Sequence, residues 1–280
     1  MRLLITGAAG MLGHDVAAAA TAAGLEPTAL AREELDITDG EAVERVISSA
    51  RPDAVVNCAA WTDVDGAEAH ERDALAANGA GAGNVARAAA ATGAWTIQVS
   101  SDYVFDGRKR DPYLESDPTN PVSAYGRSKL AGERAVADAA PGAHTIVRSS
   151  WLFGAGGPCF PATILRLAAE RDTLSVVDDQ VGCPTFTGHL AAALVELCEA
   201  RPSGPLHVAA ADQCSWFEFA VEILAAAALD TEVRPVPTSE MPRPATRPAY
   251  SVLRSEHRAP ELPGWRRGLE EYMAVRVAGR

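Results

Sequence analysis

Lysine is almost missing from this chain: of 25 basic residues only Lys109 and Lys129 are lysines, so arginine is the ordinary cation and a lysine at a special spacing stands out. Cysteine is scarce as well. Cys58, Cys159, Cys183, Cys198 and Cys214 form an odd set without a CxxC pair, which speaks against a disulfide framework or a zinc site and for reduced thiols in a cytosol. No apolar run approaches the roughly 18 residues of a membrane span. The opening MRLLITG lacks the basic, apolar and small-residue succession of an export signal, so the expectation is a soluble, cytoplasmic protein without membrane partners. Positive charge is also in deficit. A net charge of -12 argues against nucleic acid as a partner and leaves an anionic small molecule to a locally positive pocket.

What is present is ordinary globular material, 48% apolar and 22% charged over 280 residues, long enough for one large domain with a smaller one grown onto it. Short apolar segments at 2–6, 27–30, 54–58, 95–100 and 144–148 alternate with helical stretches at 12–23, 40–50, 67–91 and 122–139. That rhythm predicts the α/β class: a Rossmann-type, doubly wound parallel sheet covered on both faces. After Trp151 the rhythm breaks at a glycine and proline cluster, 154–161. Residues 1–153 are therefore expected to form a dinucleotide-binding domain and 154–280 a smaller α/β substrate-binding lobe. The helix 188–200 and strand 206–209 suggest that 183–209 returns to the first domain, and 215–228 and the chain's last helix are placed in the lobe. Ligands of such sheets sit beyond the carboxyl ends of the strands.

ITGAAGMLG sets Gly7, Gly10 and Gly13 directly after the first strand and at the start of the first helix. Glycines there allow a tight turn, close approach of backbone to a pyrophosphate and close packing of helix on strand, while the helix start offers free amides to phosphate. Gly7, Gly10, Met11 and Leu12 are thus candidate cofactor contacts. At the end of the second strand Arg32 stands where an acid would hold the ribose of NAD, which favours NADPH; Glu33 and Glu34 keep NADH open. Asp36 and Ile37 are placed beside the adenine. The segment 57–60 (NCAA) supplies Ala59 and Ala60 to the next turn of the cofactor, although Asn57 could simply end its strand.

SAYGRSK puts Tyr125 and Lys129 four residues apart, one helical turn, on one face. Ketone reduction needs a proton donor for oxygen as hydride reaches carbon; a phenol with an unperturbed pKa near 10 serves better beside an ammonium that supports its phenolate. Lys129 is expected to do this and to bond the nicotinamide ribose. The fourth strand ends in VSSDYVFDG, so Ser100 and Ser101 emerge beside Tyr125; Ser101 is chosen to polarise the carbonyl oxygen, with Ser100 as a strand-end cap. Ser101, Tyr125 and Lys129 are the candidate catalytic set.

With these residues in place the chain resembles the dTDP-4-dehydrorhamnose reductases of the extended short-chain dehydrogenase/reductase superfamily, almost from end to end. ITGAAGMLG, LDITD, VVNCAAWTDVDGAE, SSDYVFDG (serine in place of the family's threonine), PVSAYGRSKLAGE, VRSSWLFG, DDQVGCPT and ATRPAYSVL carry the resemblance. It implies NADPH-dependent reduction of a dTDP-4-keto-6-deoxy-L-hexose at C4, dTDP-4-dehydrorhamnose giving dTDP-L-rhamnose. The implied substrate side comprises Ser101, Asp102, Val104, Tyr125 and Trp151, with Arg247 and Ser251 at the nucleotide end. Asp15 stands where some members hold Mg²⁺, but one acid is not a site, and no essential metal is expected. The oligomeric expectation is monomer or homodimer. Other readings are a reductase for a related antibiotic deoxysugar, a 4,6-dehydratase or 4-epimerase, and a non-catalytic regulatory subunit of the same fold. Asp102 is followed by Tyr103 rather than by the dehydratases' second acid, which counts against elimination.

Overall fold

The computed structural model describes residues 1–278. Its centre is a six-stranded, wholly parallel sheet built from β1 (Leu3–Thr6), β2 (Thr28–Leu30), β3 (Ala54–Asn57), β4 (Trp95–Ser101), β5 (His144–Ser149) and β6 (Gly204–His207), in the order β6-β5-β4-β3-β1-β2. The central strands are apolar on both faces because both are covered. Leu3, Ile5, Ile97 and Val99 pack against the helices α1 (Met11–Ala22) and α6 (Thr187–Ala200) through Val16, Leu190 and Leu194. Leu4 and Val55 on the opposite face meet Ile47 of α2 (Gly40–Ala50) and Val85 of α3 (Ala82–Ala91). The doubly wound Rossmann-type architecture read from the sequence is the one observed.

The longer of the remaining helices are α4 (Ala124–Ala139), α5 (Phe160–Ala168), α7 (Trp216–Ala226) and α8 (Trp265–Ala278). A second core joins Phe153, Phe186, Phe219, Leu224, Trp265 and Tyr272 beneath a parallel pair of strands, Thr173–Val177 and Glu232–Val236. Residues 187–207 leave this lobe: α6 packs on the main sheet and β6 pairs with β5. All five cysteines are free, and Cys159, Cys183, Cys198 and Cys214 are buried. Among the described residues no helix is long and apolar enough to cross a membrane.

The structure differs from the sequence reading at three places. The helix expected over 67–91 is broken into Gly66–Ala69, Glu71–Leu75, a π-helical turn Ala76–Gly81, and α3. His70 leaves helical geometry (φ -127°, ψ 40°), and the wide turn swings Asn78 inward, where it bonds the backbone of Trp61 at both ends and the Ser128 hydroxyl. The helix expected from 122 starts at Ala124, because Ser123 is extended and its hydroxyl accepts from the Gly126 amide as an N-cap. The strand Glu232–Val236, not expected from the sequence, runs into a proline-rich segment; as a strand with one partner it tolerates Pro235, which cannot donate to a ladder.

Candidate active site

The strand ends open into a cleft of about 1250 Å³ between the sheet and the second lobe. Its first wall is the glycine loop. Gly7 is left-handed (φ 68°), and a Cβ there would stand 2.6 Å from the Ala59 nitrogen; a Cβ on Gly13 would stand 2.3 Å from the Gly7 carbonyl oxygen. The loop is therefore compact because Gly7 and Gly13 carry no Cβ, and Gly10 caps α1 without a side-chain hydrogen bond, leaving first-turn amides facing the cleft. Gly7, Gly10, Met11, Leu12, Arg32, Asp36, Ile37, Ala59 and Ala60 all line this half. Arg32 is exposed and meets the Asp36 carboxylate at 3.5 Å. Asp36 also accepts from Thr38, which holds its carboxyl below the usual range.

The other half is built on the ends of β4 and β5 and on α4. Ser101, Asp102, Tyr125, Lys129 and Trp151 line it together. Tyr125 is pushed up to about 12 by loss of solvent; a hydrogen bond with Ser101 works in the opposite direction, and the Asp102 charge adds to the rise. Lys129 is 5% exposed, and burial brings it down to about 8 against the pull of Glu133 and Cys58. No hydrogen bond joins its ammonium to Tyr125; Nζ donates instead to the Val99 carbonyl of β4 at 2.7 Å. Asp102 is 1% exposed and pushed up to about 6 by burial, even though the Ser251, Ser101 and Ser150 hydroxyls all hydrogen-bond to it. Behind the site, one turn beyond Lys129, Glu133 forms a buried two-point pair with Arg148 (2.9 and 2.7 Å) and accepts from Ser100 at 2.5 Å.

Three expected substrate contacts lie elsewhere. Val104 is fully buried against Phe105, Tyr113, Leu130 and Leu253, because the short 3₁₀ turn Asp102–Val104 turns its side chain into the core. Arg247 is not among the cleft residues; both its terminal nitrogens are held by the Asp65 carboxylate. That pair fastens the C-terminal segment to the loop after β3 and draws Asp65 below the carboxylate range. Ser251 is likewise buried on Asp102 rather than open to a nucleotide. Asp15 accepts from the Thr187 hydroxyl at 2.5 Å and lies 3.2 Å from His14.

Trp151 reaches the cleft in a left-handed backbone conformation (φ 48°), which strains a bulky residue. Its ring lies face to face with Trp216, centroids 3.5 Å apart and planes 2° apart, and a Cβ on Gly182 would come within 2.4 Å of its Cε2. Trp216 covers one face of the ring, and Gly182 lies close beside its Cε2, where a side chain would not fit. Trp216 and Phe160, which also line the cleft, were not singled out in the sequence. Nor was Trp61, held by Asn78; a tryptophan starting a helix or following a strand gives no local sign of which cavity it meets.

The residues fit a dinucleotide: a glycine cradle at a helix start, an exposed arginine just after β2, and a polar far end. The family model described as RmlD substrate binding domain matches residues 1–277. A dTDP-4-dehydrorhamnose reductase of Streptomyces griseus is 46% identical over 258 residues, covering 90% of this chain and 85% of that protein. The crystal structure of a dTDP-4-dehydrorhamnose reductase from Clostridium acetobutylicum superposes with a TM-score of 0.96 at 40% identity, covering 99% of this chain and 100% of that one. The Bacillus anthracis dTDP-4-dehydrorhamnose reductase, solved in complex with NADP, gives 0.93 at 37% identity and covers 98% and 99%.

Proposed function

The chain belongs to the family described as RmlD substrate binding domain, and on that premise we propose that it catalyses the NADPH-dependent reduction of the C4 keto group of dTDP-4-dehydrorhamnose, giving dTDP-L-rhamnose. NADPH, when bound, supplies the hydride for the keto carbon. The first-turn amides behind Gly10 would hold the pyrophosphate and Arg32 the 2′-phosphate, with Asp36 and Ile37 beside the adenine and Ala59 and Ala60 along the next turn of the cofactor. Lys129 binds the ribose next to the reacting ring, since an ammonium on one carbonyl keeps two further N–H donors.

Tyr125 delivers the proton to the keto oxygen. With its pKa raised to about 12 the phenol is fully protonated at neutral pH and is an unusually weak acid, so it acts only as negative charge builds on the substrate oxygen. Ser101, at the adjacent strand end, orders the oxygen by hydrogen bonding. Trp151 and Trp216 exclude water from the apolar, deoxygenated end of the sugar. Residues 154–280 act as the substrate lobe, with 183–209 belonging to the dinucleotide domain; the protein works in the cytoplasm, as monomer or homodimer, without nucleic-acid partners.

The observation that carries this reading is the meeting of the Ser101 and Tyr125 hydroxyls at one end of a cleft whose other end is the glycine cradle. Tyr125→Phe removes only the proton donor. NADPH oxidation with dTDP-4-dehydrorhamnose should fall by about a thousandfold while NADPH binding, followed by fluorescence, stays within a few-fold; retained turnover would refute the assignment.

A further inference from the structure

The Ser101 hydroxyl has one proton and room for two incoming donors. Its oxygen lies 2.9 Å from Asp102 Oδ1 and accepts from the Tyr103 amide at 3.2 Å. Tyr125 is its third partner. A carboxylate only accepts, so while Asp102 is ionised the Ser101 proton points to Asp102, and both acceptor positions are filled by the Tyr103 N–H and the Tyr125 O–H. In that state neither hydroxyl is aimed at a substrate. If Asp102 carries a proton, it donates to Ser101 Oγ; the Ser101 proton then turns to the cleft, and Tyr125 gives up its place on Ser101. The ionised arrangement leaves neither hydroxyl proton for the cleft, and the protonated one frees both to meet a substrate oxygen.

We propose that Asp102 is a positioning residue that sets the direction of the Ser101 and Tyr125 hydrogen bonds, so that its protonated form is the one in which both hydroxyls face the keto oxygen. The inference rests on the reductase reading above and deepens it. Asp102 is suited to this place. Its carboxyl is 1% exposed, is held by Ser150 at the end of β5 (3.1 Å) and by Ser251 of the C-terminal segment, and is raised to about 6 by burial. Among the groups facing it, Tyr103 lies above its usual value, and Tyr125 and Cys183 are both pushed up to about 12, so none changes charge near neutrality. The ion pair of Arg247 and Asp65 stands beyond Tyr103. Lys129, at about 8, bounds the usable range from above.

The test is the pH profile of kcat/KM for NADPH oxidation with dTDP-4-dehydrorhamnose, from about pH 5 to just below the Lys129 range, in the wild type and in Asp102→Asn. The wild type should fall as pH rises, approaching tenfold per unit above the Asp102 midpoint. Asn keeps the shape and presents an N–H to Ser101 at every pH, so its profile should be flat to within about twofold, whatever its absolute level. A flat wild-type profile, a fall that persists in Asp102→Asn, or an Asn variant inactive throughout while still binding NADPH would each overturn the proposal. Should Asp102→Asn not fold, Ser101→Ala serves instead: with no hydroxyl to redirect, its residual activity must also lose the fall. Tyr125→Phe separates the two levels of inference. If it stays active, the reductase assignment of Tyr125 fails; if it is dead and the Asp102 profiles run parallel, only the present inference fails.

Discussion

Removing Glu133 should destabilise the protein more than any other single substitution near the site. Its carboxylate and the Arg148 guanidinium are each 6% exposed and joined by hydrogen bonds of 2.9 and 2.7 Å, with Ser100 at 2.5 Å as a further donor. In Glu133→Ala the guanidinium stays buried with only His207 at 3.4 Å and the Phe105 ring at 5.2 Å beside it. Burial lowers the pKa of His207, so it can offer a lone pair, but no counter-charge remains. Stranding one partner of a buried pair costs about 3–5 kcal/mol. With about 2.1 cal/mol/K of unfolding entropy per residue, 280 residues give about 0.6 kcal/mol/K, so Tm should drop by about 5–9 °C. The double variant Glu133→Leu with Arg148→Met should recover most of that loss, because the cost arises from the orphaned charge and not from the missing attraction. Urea unfolding followed by far-UV circular dichroism measures both. A loss below about 1 kcal/mol in the single variant, or a double variant as unstable as the sum of the two singles, would refute the reasoning. Lys129 also loses a carboxylate that supports its charge, so its pKa should move further below about 8 in Glu133→Ala.

Two further outcomes follow from the cofactor half of the cleft. Gly13→Ala drives a Cβ to 2.3 Å from one backbone oxygen and 2.9 Å from the Ala8 Cα, and since no side chain can move aside the loop must open; NADPH binding by calorimetry should weaken by about 1–3 kcal/mol. Arg32→Glu exchanges a phosphate partner for a repelling charge, so the Kd for NADPH should rise by about ten- to hundredfold with little change for NADH, read by fluorescence titration.

The main sheet was legible because its strands are short apolar runs bounded by glycine, proline or a helix cap, and because a parallel strand buried on both faces leaves no other use for AVVN or HTIVRS. The glycine loop and the Tyr125 to Lys129 spacing were legible for a related reason: their meaning is set by neighbours in sequence. What failed was whatever depends on partners distant along the chain. Nothing in DYV shows that Val104 points inward, since the 3₁₀ turn that directs it is capped by Ser101 and covered by Leu253. Arg247 reads as a free cation until Asp65, 182 residues away, is seen to hold it. The break after Leu75 hides in an alanine-rich stretch of high helix propensity, where a single asparagine reaching Trp61 outweighs the local preference. Lys129 was placed on the correct face, but which of two nearby partners takes a buried ammonium is decided by the Val99 carbonyl, and carbonyls have no signature in a sequence.

The charge of the protein then makes sense against the ligands proposed for it. A chain of net charge -12 is asked to bind a dinucleotide phosphate and a nucleotide sugar, both anionic, in a cleft whose lining contains two cations, Arg32 and Lys129, against Glu33, Asp36, Asp63, Asp73 and Asp102. Coulombic attraction by side chains therefore cannot be what fills it. Lys129 is moreover partly spent on a carbonyl, and burial raises Asp102 to about 6. The remaining source is the backbone: α1 has no acid in its first turn and no side-chain cap, so its amides and its dipole are left for phosphate. Such donors are neutral, fixed in direction and useless to an anion of the wrong shape. An acidic surface with a neutral, directional anion cradle rejects polyanions at long range and accepts, at contact, only ligands whose phosphates meet the glycine loop while their far end reaches Tyr125.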